Sequence, residues 1–133
     1  MDVVLTAWAL DSYLDLKHKA VFTPQEYKGT LRPDVLLLKQ YPPGSVKFQN
    51  NKFWGPAKDK SNHRIPDGHK MKWHQVGSGK VQLRLTVGVF NEAMLCECYV
   101  KKTAKQEKRK LEVFRTHLEL IRRGQYTECG RLS

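Results

Sequence analysis

Apolar and polar positions follow two regimes along this chain: helical spacing up to about residue 40 and again after Thr103, and alternation from Gly68 to about Lys101. The opening "MDVVLT" reads as a short strand. Thr6 is then placed to cap a helix from Ala7 to about Lys19, with Trp8, Leu10 and Leu14 as its buried side and Tyr13 as a further candidate. "TPQE" (Thr23 to Glu26) is a capping-box pattern with Pro at the first helical position, and Gly29 and Thr30 interrupt that turn. A second helix is expected from Leu31 to Gln40, because Pro33 falls in its first turn, where no backbone donor is needed. "YPPG" (Tyr41 to Gly44) ends it.

The stretch from about 41 to 68 is turn-rich and is expected to be a long loop, with "FQNNKFW" as a small hairpin or ordered segment within it. "HKMKWHQV" (His69 to Val76) and "KVQLRLTVGVF" (Lys80 to Phe90) then flank "GSG", a hairpin signal, and "AMLCECYVK" (Ala93 to Lys101) adds a third strand. Thr103 caps a last helix, with Gln106 completing a capping box. Leu111, Phe114, Leu118 and Ile121 form its buried stripe and Gly124 stops it. The expectation is a single domain over 1–133 of the α+β class. An antiparallel-rich sheet, made of the N-terminal strand and a three-stranded meander, packs one face against two N-terminal helices and a C-terminal helix.

Alternation sorts the meander by face. Val81, Leu83, Leu85, Val87 and Val89 should meet the helices, together with Met71 and Trp73, and with Met94, Cys96, Cys98 and Val100. The opposite face would then gather Lys70, Lys72, His74, Arg84, Glu97, Tyr99 and Lys101. A solvated sheet face is ordinarily polar. Six of these seven side chains, however, can donate hydrogen bonds to phosphate, and Tyr and His add stacking surfaces. A bulge near Lys101 would exchange it for Lys102, so the two are alternatives.

Charge sharpens this picture. Twenty-four Lys and Arg stand against thirteen Asp and Glu in 133 residues, a net charge of +11. Such a field favours polyanions, nucleic acid above all, with salt-sensitive binding. The three cysteines form no disulfide framework, which fits a reducing cytoplasm; no apolar run reaches membrane-span length, and the first residues lack the basic start of a signal peptide. "GSGK" lacks the upstream Gly of a phosphate loop. Cys96 and Cys98 near His63, His69 and His74 form only a weak zinc pattern, so neither metal nor cofactor is expected. Metal-free RNA cleavage by the 2′-hydroxyl needs a base, cations for the phosphorane and an acid for the 5′ oxygen. Lys72, His74, Arg84, Glu97 and Tyr99 are the catalytic candidates, and Lys70, Lys101, Lys102, Lys80 and His69 the candidates for nucleic-acid contact.

The run "IPDG" (Ile65 to Gly68), then "KVQLRLTVGV", then "CYVKKTAKQEKRKLEVFRTHLELI" resembles the RelE/HigB-like toxins of bacterial toxin–antitoxin pairs. Those toxins show a strand with a central Arg, then a strand running into aromatic-x-Lys-Lys-Thr, then a helix. Here the features fall on Arg84, on Tyr99 to Thr103, and on Ala104 to Arg123, within about residues 65 to 123. The resemblance implies a RelE-like fold and a cytoplasmic toxin that cleaves mRNA, often on the ribosome, without metal. A cognate antitoxin would neutralise it by covering the basic face. Related ParE-like toxins share the fold yet act by binding gyrase, and a non-catalytic nucleic-acid-binding protein is the remaining alternative.

Overall fold

A computed structural model describes residues 1–133. Strand β1 (Val3–Thr6) leads into helix α1 (Ala7–His18). A helical segment follows, composed of α2 (Pro24–Glu26), a π turn (Tyr27–Leu31), α3 (Arg32–Leu36) and a 3₁₀ turn (Leu37–Gln40). Next come β2 (Trp54–Lys58), β3 (Arg64–Val76), β4 (Val81–Val89), β5 (Ala93–Val100), α4 (Ala104–Arg122) and β6 (Glu128–Leu132). The strands form one mixed sheet in the order β2-β3-β4-β5-β1-β6, with β1 parallel to β5 and the other pairs antiparallel. The α+β class and the meander stand. No helix is long and apolar enough to cross a membrane.

The start signals work as expected. Thr6 Oγ1 accepts from Ala9 N–H (3.2 Å) and donates to the Leu95 carbonyl (2.7 Å), so one hydroxyl caps α1 and ties it to β5. The Thr23–Glu26 capping box forms, and the Glu26 carboxylate also accepts from Gly77 N–H in the β3–β4 turn (3.0 Å). Gly29 and Thr30 do not interrupt the helical segment: the chain passes them as a π turn and continues to Gln40. Helix α1 is rotated from its expected setting. Ala9 and Leu16 are buried, whereas Leu14 is exposed and Trp8 stacks on His117 of α4 at 4.0 Å.

Three further expectations are corrected. Region 41–68 holds β2 and the start of β3, which pair as a hairpin; Pro56 is tolerated because β2 is an edge strand. The chain after Gly124 adds β6 at the other edge, antiparallel to β1. Above all, the helices cover both faces of the sheet. On one face α1, Leu31, Val35 and Leu38 pack on Met71, Trp73, Leu83, Leu85 and Val87. There buried Asp34 accepts from the Trp73 indole (2.9 Å) and from Lys47 (2.7 Å). On the other face Leu111, Phe114 and Leu118 of α4 pack on Ala57, Ile65 and Cys96.

Two paired glycines let α4 come so close. Gly68 lies opposite Gly88. A Cβ at Gly68 would stand 2.9 Å from Phe114 Cε2, and one at Gly88 would stand 2.7 Å from Leu118 Cδ2. The β5 faces also change along the strand, because a bulge sets Thr86 opposite Glu97 but Val87 opposite Leu95. Cys96 therefore lies under α4 and Cys98 against the α1 core, on opposite faces rather than together. Burial pushes both thiols up to about 12.

Filling either glycine should cost stability: Gly88→Ala and Gly68→Ala are each expected to lose about 1–3 kcal/mol in urea unfolding. Unchanged midpoints would contradict this packing. Acid should destabilise the fold through His117, whose pKa is lowered, chiefly by burial. The unfolded chain binds that proton more readily, at about pH 6.5, so the contribution is fully present above that value and is lost as pH falls through the folded value. His117→Phe, which keeps an aromatic ring against Trp8, should flatten the pH dependence of the unfolding midpoint below about pH 6.5.

Candidate functional site

Alternation places Lys70 and Lys72 of β3, Arg84 of β4 and Tyr99 of β5 on the face beneath α4, with Lys72 opposite Arg84 and Arg84 opposite Tyr99. The first turn of α4 lowers Glu107 onto them. Its carboxylate accepts from the Tyr99 hydroxyl at 2.8 Å and lies 3.5 Å from Lys70 Nζ, 3.8 Å from Arg84 Nε and 3.9 Å from Lys101 Nζ. Thr103 aims this turn, its Oγ1 accepting from Gln106 N–H (3.1 Å); the expected reciprocal bond from the Gln106 side chain is not made. Three cations thus share one carboxylate, with Lys72 beside them in the same groove.

The cluster is largely dry. Arg84 is 3% exposed and Tyr99 4%. Arg84 Nη1 donates to the Leu83 carbonyl (3.1 Å) and Nη2 to Gln82 Oε1 (3.0 Å), leaving Nε without a hydrogen-bond partner and facing Glu107. Burial lowers the pKa of Lys70, with Glu107 opposing and Arg84 and Lys101 adding to the fall. Burial, then Lys70 and Arg84, lowers that of Lys72, which has no acidic partner within ion-pair distance. Tyr99 is raised by burial and by the Glu107 charge, so its hydroxyl stays protonated and donates.

Beside this cluster lies an open groove of about 400 Å³ between β2, β3 and α4, lined by Lys58, Lys70, Lys72, Lys101 and Lys108 among others. Gly55 of β2 forms part of its wall, and a Cβ there would stand 3.6 Å from Lys72 Nζ. Lys70, Lys72 and Lys101 are the candidates that reach this groove.

The remaining expected residues go elsewhere. His74 sits in the bulge beyond Trp73, its Nε2 on the Lys52 carbonyl, with no contact to Arg84, Tyr99 or Glu107. Glu97 lies under α4, but its carboxylate holds Lys110 at 2.6 Å. His69 faces the other side and stacks on Trp54 at 4.9 Å. Lys80 is exposed in the β3–β4 turn, and Lys102 lies on the far side of the α4 start from Lys101. Sequence reasoning missed Glu107. The available signal was its place on the helical stripe with Leu111, Phe114 and Leu118.

No protein-family model, curated protein or solved structure matches this chain.

The ordinary lysine value is about 10.4, and Lys72 should lose its proton at a lower pH than that. In Glu107→Gln, Lys70 should fall further, because the one charge that raises it is gone. Site-resolved NMR titration of lysine Nζ checks both. A Lys72 that titrates at or above the ordinary value would contradict the burial described.

Proposed function

We propose that this protein is a RelE-like toxin that cleaves single RNA strands at the cluster beneath the start of α4, without metal. The observation that carries the reading is the convergence of Lys70, Lys72, Arg84, Tyr99 and Lys101 around Glu107. Two further observations support it. The order of elements — leading strand, helical segments, meander, helix — is the one the resemblance implies, and Tyr99 to Thr103 occupies the strand-to-helix junction. The net charge suits a polyanionic substrate.

In this reading the roles differ from those expected from the sequence. Glu107, rather than Glu97 or His74, is the carboxylate that takes the 2′-hydroxyl proton as the 2′-oxygen bonds to phosphorus. Lys70, Lys101 and the Arg84 charge stabilise the phosphorane, with Tyr99 donating to a non-bridging oxygen. Lys72, its ammonium acidified by burial and neighbouring cations, gives a proton to the departing 5′ oxygen as the phosphorus–oxygen bond breaks. The products are a 2′,3′-cyclic phosphate and a free 5′-hydroxyl. A cytoplasmic mRNA substrate, ribosome engagement and an antitoxin partner follow from the resemblance at residues 65 to 123.

Arg84 is a poor test residue, since removing a buried guanidinium with three acceptors also costs stability. Lys72→Ala and Tyr99→Phe are cleaner: each should lower the rate of new 5′-hydroxyl ends from purified RNA or ribosome-bound mRNA by about 10²-fold or more. Wild-type rates in both variants would overturn the assignment. The burial of Arg84 favours a second reading, a protein that binds RNA at the same groove and does not cut it. That protein would show salt-dependent binding and no new ends.

A further inference from the structure

Lys101 and Lys102 are neighbours in sequence but serve different spaces. Lys101 lines the groove between β3 and α4, whereas Lys102 lines a second groove of about 730 Å³ between α1, the β5 edge and α4. Glu107 borders both, and Tyr99 lies in the wall of the second. The two grooves therefore flank the first turn of α4, with Glu107 between them and Lys101 and Lys102 on opposite sides.

The ion pairs of α4 separate its two halves. Toward its end, Arg115 pairs with Glu112, Arg122 with Glu119 and Asp67, and Arg123 with Glu119. Those cations are neutralised within the chain. Toward its start, Lys102, Lys105, Lys108 and Arg109 have no acidic partner within ion-pair distance and no side-chain hydrogen bond. In the second groove Lys19 and Lys110 are already paired, with Asp15 and Glu97, so Lys102 and Arg109 are its free cations. Unpaired cations lining both grooves suit a flexible polyanion that passes from one groove to the other. A duplex carries both backbones on one stiff cylinder and does not follow such a path.

We propose that the groove between α1 and α4 is a second RNA track, so that the substrate is a single strand crossing the Lys101–Lys102 junction with one flank in each groove. This rests on the reading above for the identity of the polyanion. It assigns Lys102 and Arg109 to phosphates on the far side of the cleavage position from Lys72.

The test is binding of a single-stranded oligoribonucleotide of about twelve nucleotides across a salt series, with a duplex of the same sequence alongside. The double variant Lys102→Ala/Arg109→Ala should bind the single strand more weakly and lose about 1.4 from the slope of log affinity against log salt, two phosphate contacts' worth. Arg115→Ala/Arg123→Ala removes the same net charge from the paired end and should leave the slope near wild type. The duplex should be bound more weakly than the single strand and respond equally to both variants. Equal losses from the two double variants on the single strand, or no loss from the first, would overturn the track while leaving the proposed function standing. A wild-type chain that binds no RNA at low salt would overturn both. Binding with the expected losses but no strand cleavage would support the track and remove only the cutting role.

Discussion

The packing of α4 onto the glycine pair of β3 and β4 sets nearly everything else on that face. Gly68 and Gly88 leave the sheet low at the point where Phe114 and Leu118 must seat, and a Cβ at either would force those side chains to shift. Because the helix lies close, its first turn comes down on Arg84 and Tyr99, and Glu107 reaches a tyrosine hydroxyl and three cations at once. The same approach leaves a groove on each side of that turn. Fold and candidate chemistry are thus consequences of one close contact.

Placing several cations beside a single carboxylate is electrostatically unfavourable: burial first and then the neighbouring cations lower the pKa values of Lys70 and Lys72, and burial lowers that of Arg84. Glu107 offsets part of the repulsion, and the Leu83 and Trp73 carbonyls hold the Arg84 guanidinium. What remains is an excess of positive charge next to an open groove. A phosphate arriving there would relieve repulsion as well as form hydrogen bonds, and it would raise the lysine pKa values again. Structural ion networks also shift pKa values, so the charge excess and the groove together, not the shifts alone, point to an anion.

Periodicity made much of this legible. The alternation of β4 sorted its side chains correctly, the α4 stripe identified Leu111, Phe114 and Leu118, and the Thr6, Thr23 and Thr103 caps fell where expected. The gathering of Lys70, Lys72, Arg84 and Tyr99 followed from parity alone. Other features lacked a periodic signal. The β5 bulge swaps faces between Cys96 and Cys98, and a bulge leaves the alternation of residue types intact while breaking that of directions. The β3 bulge carried His74 out of the cluster in the same way. Edge strands β2 and β6 are short, and Pro56 disguises the first. The polar face read as uncovered because its covering partner, Glu107, sits in a charge-rich run where a carboxylate is ordinarily a surface residue.

Everything proposed for this face depends on RNA phosphate binding at the cluster beneath the start of α4. Its most direct test is lysine Nζ NMR on the protein bound to an oligonucleotide whose 2′-hydroxyls are replaced by hydrogen, so that it is held and not cut. The Lys72 and Lys101 resonances should move on binding, and Lys72 should then titrate at higher pH than in the free protein. Saturable binding that leaves both resonances unmoved and the Lys72 titration unchanged would contradict it.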